Sequence, residues 1–174
     1  MPLAQLICAC SYESRVFHRV LAGYKERGRR DLSRLLGTRL CGALQANLPK
    51  NVRPIVVPIP CSTKRKRIRG FDQAELLARY VSHKLKLDYQ PLLTRGRTRS
   101  ASQKELGILA RRKSLKGVYG ISKKQDLVDA KRRGVLLIDD VATSLATLET
   151  CAMTLQAAGI ASIRAATLAH AAIG

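Results

Sequence analysis

The spacing of apolar and polar positions divides this chain into helices followed by two β–loop–helix units. Over residues 12–27, Val16, Val20 and Tyr24 recur at helical spacing and predict a short helix, which Arg27-Gly28-Arg29-Arg30 breaks. Leu32, Leu35, Leu36, Leu40, Cys41 and Leu44 then form an apolar stripe, with Asp31 placed to cap its helix. Pro49 to Pro54 reads as a turn region. Pro54-Ile55-Val56-Val57-Pro58-Ile59-Pro60 reads as a buried strand whose end is stiffened by prolines. A basic loop, Ser62 to Arg67, follows. Asp72 and Glu75 have the spacing of a capping box for a helix over 73–87, with Ala74, Leu77, Ala78, Val81 and Leu85 on its buried face. Residues 88–94 predict a strand, Arg95 to Lys116 a long polar segment, and residues 117–121 a short strand.

The second unit is the sharper one. Val135-Leu136-Leu137-Ile138 follows the breaker Gly134, as a buried parallel strand does. Asp139 and Asp140 end it. Small residues and hydroxyls come next, then Leu145, Leu148, Ala152 and Leu155 at helical spacing. That helix runs to about Ala158, and a strand is expected near Ile163–Leu168. The expected fold is α/β, a central mostly parallel sheet flanked by helices. Residues 1–50 form a helical lead-in and residues 51–174 the α/β domain.

In such sheets ligands bind beyond the carboxyl ends of the strands. The N-terminus of the helix after Asp140 attracts an anion, and Thr143, Ser144 and Thr147 supply hydroxyl donors. Two carboxylates repel phosphate but suit hydroxyl groups or a metal-bound water. A sugar phosphate satisfies both halves of the loop. Ser62, Thr63, Lys64 and Arg65, after the first strand, offer hydroxyls and cations suited to a pyrophosphate. The plain alternatives are a strand that ends in exposed acids before a helix, and a basic surface turn.

Composition narrows the class. With 46% hydrophobic residues and no Trp, the chain can bury a core built from Leu, Val, Ile and Ala. No apolar run is long enough to span a bilayer, and residues 1–10 have no basic lead-in of a signal peptide. A cytoplasmic protein without membrane insertion is expected. The five cysteines form no C-x-x-C pair, so free thiols are expected and no metal site, with Cys41 and Cys151 as small core residues. The net charge is +20 and uneven. Residues 61–133 hold 21 Lys/Arg against 6 Asp/Glu, a net +15, whereas residues 134–174 hold 1 against 3, a net −2. A polyanionic partner or a solvated basic face each accounts for this.

Val135 to Thr147 resembles the phosphoribosyl-pyrophosphate (PRPP) motif of type I phosphoribosyltransferases. Val57-Pro58-Ile59-Pro60, Lys64-Arg65 and Arg69-Gly70-Phe71-Asp72-Gln73-Ala74-Glu75-Leu76-Leu77-Ala78 resemble one branch of them, the ComF competence family. That branch usually has Asn in place of Asp72. The resemblance covers roughly residues 11 to 170. It implies a type I phosphoribosyltransferase-like fold and PRPP with Mg²⁺, the metal held mainly by substrate oxygens and water. The implied chemistry is displacement of pyrophosphate at the anomeric carbon.

By the same resemblance Asp139 and Asp140 are the catalytic acids that hold the ribose hydroxyls. Val141, Ala142, Thr143, Ser144, Leu145, Ala146 and Thr147 form the 5′-phosphate loop, and Ser62, Thr63, Lys64 and Arg65 take the pyrophosphate. Arg97, Gln103, Lys104 and Arg111 lie in the catalytic flexible loop. A link to DNA uptake is implied, with single-stranded DNA or the competence machinery as partner. The other class of function is a non-catalytic DNA-binding accessory protein with a vestigial PRPP site. Two departures stand out. The sequence starts about where the four-cysteine zinc ribbon that usually opens this branch would end, as expected either of a short member lacking the ribbon or of a start assigned late. Leu145 replaces a glycine that reaches positive φ without strain. Either PRPP binding is weakened or lost, or the leucine turns outward in a rearranged loop.

Overall fold

The computed structural model describes residues 3–10, 15–26, 29–96, 117–142 and 145–170. The elements are β1 (Gln5–Cys8), α1 (Arg15–Glu26), α2 (Leu32–Asn47), β2 (Ile55–Pro58), α3 (Thr63–Arg69), α4 (Gln73–Leu85) and β3 (Leu93–Arg95). They continue with β4 (Tyr119–Ile121), α5 (Val128–Arg133), β5 (Val135–Ile138), β6 (Val141–Ala142), α6 (Ala146–Ala157), β7 (Ile163–Thr167) and β8 (Ala169–His170).

Four of the strands form one parallel sheet in the order β1-β7-β5-β2. β5 is buried along its whole length, as its unbroken run of Val, Leu, Leu and Ile requires of a strand covered on both faces. Gly134 precedes it at φ 76, where a Cβ would stand 2.6 Å from the Ser162 carbonyl oxygen, so the chain enters the sheet past a contact only glycine allows. On the far side of β2 the Val56 amide donates to Asp88 (2.8 Å) and the Gln90 amide to Val56 (3.0 Å), making a parallel bridge at Tyr89.

Alternate residues of the strands enter two separate cores. Val56, Leu136, Ile138, Ala166 and Ile7 pack with α1, α2 and α4 on one face. Ile55, Val57, Val135, Leu137 and Ala165 pack with α6 and the β3–β4 ribbon on the other. The sheet is the middle layer of an α/β/α sandwich. Ile7 of β1 and the buried residues of α1 and α2 share the first core with the central strands, so this lead-in contributes a strand as well as helices.

The connections run in opposite directions from the β2–β5 pair. From β2 the chain passes through α4, on the first face, to the bridge at Tyr89. From β5 it passes through α6, on the second face, to β7. The winding therefore reverses at the carboxyl ends of β2 and β5, the place where open α/β sheets form a ligand crevice.

Several elements differ from their sequence-based expectation. The buried face of α1 is Phe17, Leu21 and Tyr24, with Val20 only partly covered; the side chain of Val16 lies outside the described residues. Asp31 has helical backbone angles and makes no capping bond. Its carboxylate instead receives the Arg29 guanidinium at 2.9 and 2.6 Å. Leu35 is 55% exposed, off the stripe formed by Leu36, Leu40, Cys41 and Leu44. Glu75 does not complete a capping box, because its carboxylate takes Arg79 (3.0 Å) and Lys66 (3.4 Å). Residues 88–94 do not form one strand: Tyr89 bridges to β2, and β3 turns away to pair antiparallel with β4.

The basic loop is a helix. Ser62 is extended (φ −70, ψ 148) and its Oγ accepts the Arg65 amide at 3.3 Å, which starts α3. Gly70 ends it in the left-handed region at φ 78, its amide donating to Lys66 O at 2.9 Å.

Candidate functional site

The registered pairing of β2 with β5 brings the two loops of the crevice together. Pro58 stands opposite Ile138, and the Ile59 amide donates to the Ile138 carbonyl at 2.9 Å. The next residues on one side are Asp139 and Asp140, and on the other Pro60, Cys61 and Ser62. The acidic loop and the cationic loop are thus neighbours by strand geometry.

The acidic loop is tightly turned. The Asp140 amide donates to Asp139 Oδ1 (2.8 Å), and the Val141 amide to Asp140 Oδ1 (2.6 Å). The Asp139 amide reaches Ala166 O (3.1 Å) and Asp140 O accepts from Leu168 (2.9 Å), so β7 braces this loop from the other side. Both carboxylates are half-buried. Val141 and Ala142 then pair in parallel with Ala169 and His170, and their side chains are buried. Ala146 is also buried and Thr147 half-buried, while Thr143 and Ser144 lie outside the described residues. Of the residues expected to hold the 5′-phosphate, Val141, Ala142 and Ala146 therefore face the core, and can offer a ligand only backbone groups.

Leu145 resolves differently from a glycine substitute under strain. Its φ of −68 and ψ of −10 are right-handed, its carbonyl accepts the Glu149 amide at 2.8 Å, and it starts α6. The side chain is half-buried against the core that α6 shares with the sheet. The loop accommodates leucine without a positive φ, by turning it toward the protein.

Charges of both loops reach the buried Tyr119, and the acidic loop also reaches the buried Tyr24. Burial pushes the Tyr119 phenol well above its ordinary range; Asp139 reinforces this, while Arg95 and Arg65 oppose it. Arg95 lies over the Tyr119 ring (5.3 Å to the centroid) and donates to its hydroxyl at 3.0 Å. Tyr119 on the ribbon thus lies within the electrostatic reach of the acid on β5 and the cation on α3. Burial likewise raises Tyr24, with Asp140 and Asp72 adding to the shift. Cys61, at the start of the cationic loop, is pushed up to about 12, first by burial and then by Asp72. Cys151, under the acidic loop, is raised in the same direction by burial and by Asp139. All five thiols are free, and Cys41 and Cys151 are buried in the cores.

Ser62, Thr63, Lys64 and Arg65 sit at the start of α3, and every residue from Thr63 to Ile68 is exposed. Arg97, Gln103, Lys104 and Arg111 lie outside the described residues, between β3 and β4. Tyr24, Tyr119 and Arg95 were not distinguished by the motifs. Only the burial of two tyrosines beside charged loops marks them, and that appears once the elements are packed. Among the described residues, no group of three or more His, Cys, Asp or Glu is placed to hold a metal ion. None of the described helices is long and apolar enough to cross a membrane.

No protein-family model, no curated protein and no solved structure matches this chain.

Leu145→Gly is expected to lower stability by about 1–2 kcal/mol, from lost apolar burial and the greater chain entropy of glycine. Urea unfolding measures this. A stability equal to or above that of the original protein would mean that Leu145 is strained after all.

Proposed function

We propose that the crevice binds a sugar phosphate of the PRPP type with Mg²⁺, and that the protein is a phosphoribosyltransferase-like member of the ComF family. The observation that carries this reading is the adjacency of an acidic and a cationic loop at the reversal point between β2 and β5. Asp139 and Asp140 accept the ribose hydroxyls. The amide groups at the start of α6, with Thr147, face the 5′-phosphate. The side chains of Ser62, Thr63, Lys64 and Arg65 neutralise the pyrophosphate. This donor set suits Mg²⁺ bound chiefly through substrate oxygens and water, since magnesium commonly keeps several waters and takes only one or two carboxylates. The metal supplies neutralisation of the leaving pyrophosphate. The protein's own residues orient the anomeric carbon between the acids and the cations, so that a nucleophile enters as pyrophosphate leaves.

The right-handed backbone at Leu145 supports retention of this site, because α6 begins there without strain. The flexible-loop residues Arg97, Gln103, Lys104 and Arg111 belong to the same reading through the family resemblance.

Calorimetric titration of PRPP with Mg²⁺ tests the site. The original protein is expected to bind. The double substitution Asp139→Asn with Asp140→Asn is expected to weaken binding by roughly ten- to a hundredfold, the scale of losing bonds to charged acceptors. Its thermal stability should change little. Equal affinity of the double variant and the original protein would remove Asp139 and Asp140 from the site.

The exposed cations of α3 favour a second reading: a single-stranded-DNA-binding accessory protein for transformation, with a vestigial sugar-phosphate site. Affinity would then fall with salt at a slope near −0.7 per phosphate contacted. Substituting Lys64, Arg65 and Arg67 by Ser should make the slope shallower by about 2. Salt-independent affinity, or an unchanged slope, would leave the cations to the pyrophosphate alone. DNA binding without any PRPP binding would favour the accessory protein.

A further inference from the structure

The cationic helix α3 poses a mechanical problem. It carries Lys64, Arg65, Lys66, Arg67 and Arg69 within seven residues and buries none of them. Ile68, its one large apolar side chain, is 74% exposed. Apolar packing, which fixes α1, α2, α4 and α6, cannot fix this one. A pyrophosphate site needs its cations held in place before the ligand arrives, because ordering them on binding costs affinity. The holding force must come from polar contacts: the exposed Lys66–Glu75 ion pair (3.4 Å) along the helix, and contacts at its two ends.

Two consecutive residues supply the contacts at the ends. Asp72 caps α4, its Oδ1 accepting the Glu75 amide at 3.2 Å. Its Oδ2 accepts the Cys61 amide at 2.9 Å. The chain between β2 and α3 reads Ile59-Pro60-Cys61-Ser62, and Pro60 has no backbone N–H to tie it down. Two of its amides are engaged across elements: Ile59 on the β5 carbonyl of Ile138, and Cys61 on Asp72. One tie fixes the loop to the acidic strand and the other to α4. Asp72 is only 7% exposed, and a carboxylate at that depth is tolerated where amide donors satisfy it.

Gln73 holds the other end. It is 2% exposed, and its Oε1 accepts the Arg69 guanidinium at 2.8 Å. Its Nε2 donates to Tyr24 O (3.5 Å), and the Tyr24 hydroxyl donates to Gln73 O (3.1 Å). Phe71, between the two ties, packs its ring 5.8 Å from that of Tyr24. The last residue of α3 is thus linked through Gln73 to the core of α1.

We propose that Asp72 and Gln73 are positioning residues for the anion-binding cations: Asp72 fixes the start of α3 and Gln73 its end. This rests on the reading of Ser62 to Arg65 as the pyrophosphate-binding segment. It assigns Arg69-Gly70-Phe71-Asp72-Gln73 a role without contact to the ligand. Arg69 and Gln73 form the far tie, Gly70 turns the chain, Phe71 anchors the turn and Asp72 forms the near tie. A ligand with pyrophosphate depends on the clamp, whereas a sugar monophosphate held by the acidic loop does not.

The test compares Mg²⁺–PRPP with ribose 5-phosphate on the full chain, and adds ligand-free cleavage by trypsin at Lys64 to Arg69, followed by mass spectrometry. Asp72→Ser keeps a cap for Glu75 but is too short to reach Cys61 as well. Gln73→Leu keeps the volume and removes both polar ties. Each variant is expected to weaken PRPP binding about tenfold, the scale of one lost hydrogen bond to a charged group, and to leave ribose 5-phosphate affinity within about twofold. Cleavage within α3 should accelerate by about tenfold in both variants. Gln73→Glu, which keeps an acceptor for Arg69, should restore the original values.

Parallel loss of both ligands, or a Gln73→Glu variant as impaired as Gln73→Leu, would overturn the proposal. So would unchanged cleavage. If the original protein binds neither ligand, the sugar-phosphate reading fails by itself. The clamp then stands or falls on whether α3 is cleaved faster in the variants. If Asp72→Ser does not fold, Asp72→Asn keeps only one of the two acceptors and should give an intermediate split.

Discussion

The registered parallel pairing of β2 with β5 is the constraint on which the rest depends. Ile55 to Pro58 lie opposite Val135 to Ile138, residue for residue. Both strands are buried on both faces, so a slip of one residue would exchange every side chain between the two cores. The register also sets the level at which the two loops leave the sheet. It puts the pair Asp139-Asp140 beside the segment Pro60-Cys61-Ser62. α4 and α6 cover opposite faces, so the winding reverses at this end of the pair. The meeting of opposite charges at the reversal point is therefore a consequence of one ladder of backbone bonds.

The two loops are held by different physics. The acidic one lies against the core: Val141, Ala142 and Ala146 are buried around it, and β7 braces it through Ala166 and Leu168. The cationic one stands outside the core, since a helix with five cations cannot be buried without large desolvation costs. Hydrogen bonds at its ends take the place of packing. Lys66 is further tied to Glu75, which also holds Arg79, and Arg79 lies over the Tyr89 ring at 4.5 Å. These partners keep α3 beside α4 while its cations stay exposed.

The strands around the site were the most legible part of the sequence. Ile55 to Pro58 and Val135 to Ile138 are unbroken apolar runs with clear ends, and the periodic faces of α4 and α6 followed as expected. Short elements with little apolar content were not legible. β1 is four residues and gains its place only by pairing with β7. α5 reads as a run of charges because Ala130 alone is buried in it. The α3 segment reads as a loop because its helix has no buried face, and only Ser62 and Gly70 signal its ends. Asp72 shows why a motif can mislead about detail. Its spacing to Glu75 suggested a reciprocal box, yet neighbouring cations outcompete the backbone amide for Glu75, and Asp72 itself spans two elements. Leu145 was legible as a departure but not in its consequence, which depends on a helical φ and a core beside it.

The central claim is that one ligand engages both loops of the crevice at once. Amide chemical shifts of the isotope-labelled protein, followed during titration with PRPP and Mg²⁺, test this most directly. The account predicts saturable changes concentrated at Asp139 to Thr147 and at Cys61 to Lys66, reaching half-maximum at the same ligand concentration. Changes confined to the cations of α3, spread over the basic surface, or absent would contradict it.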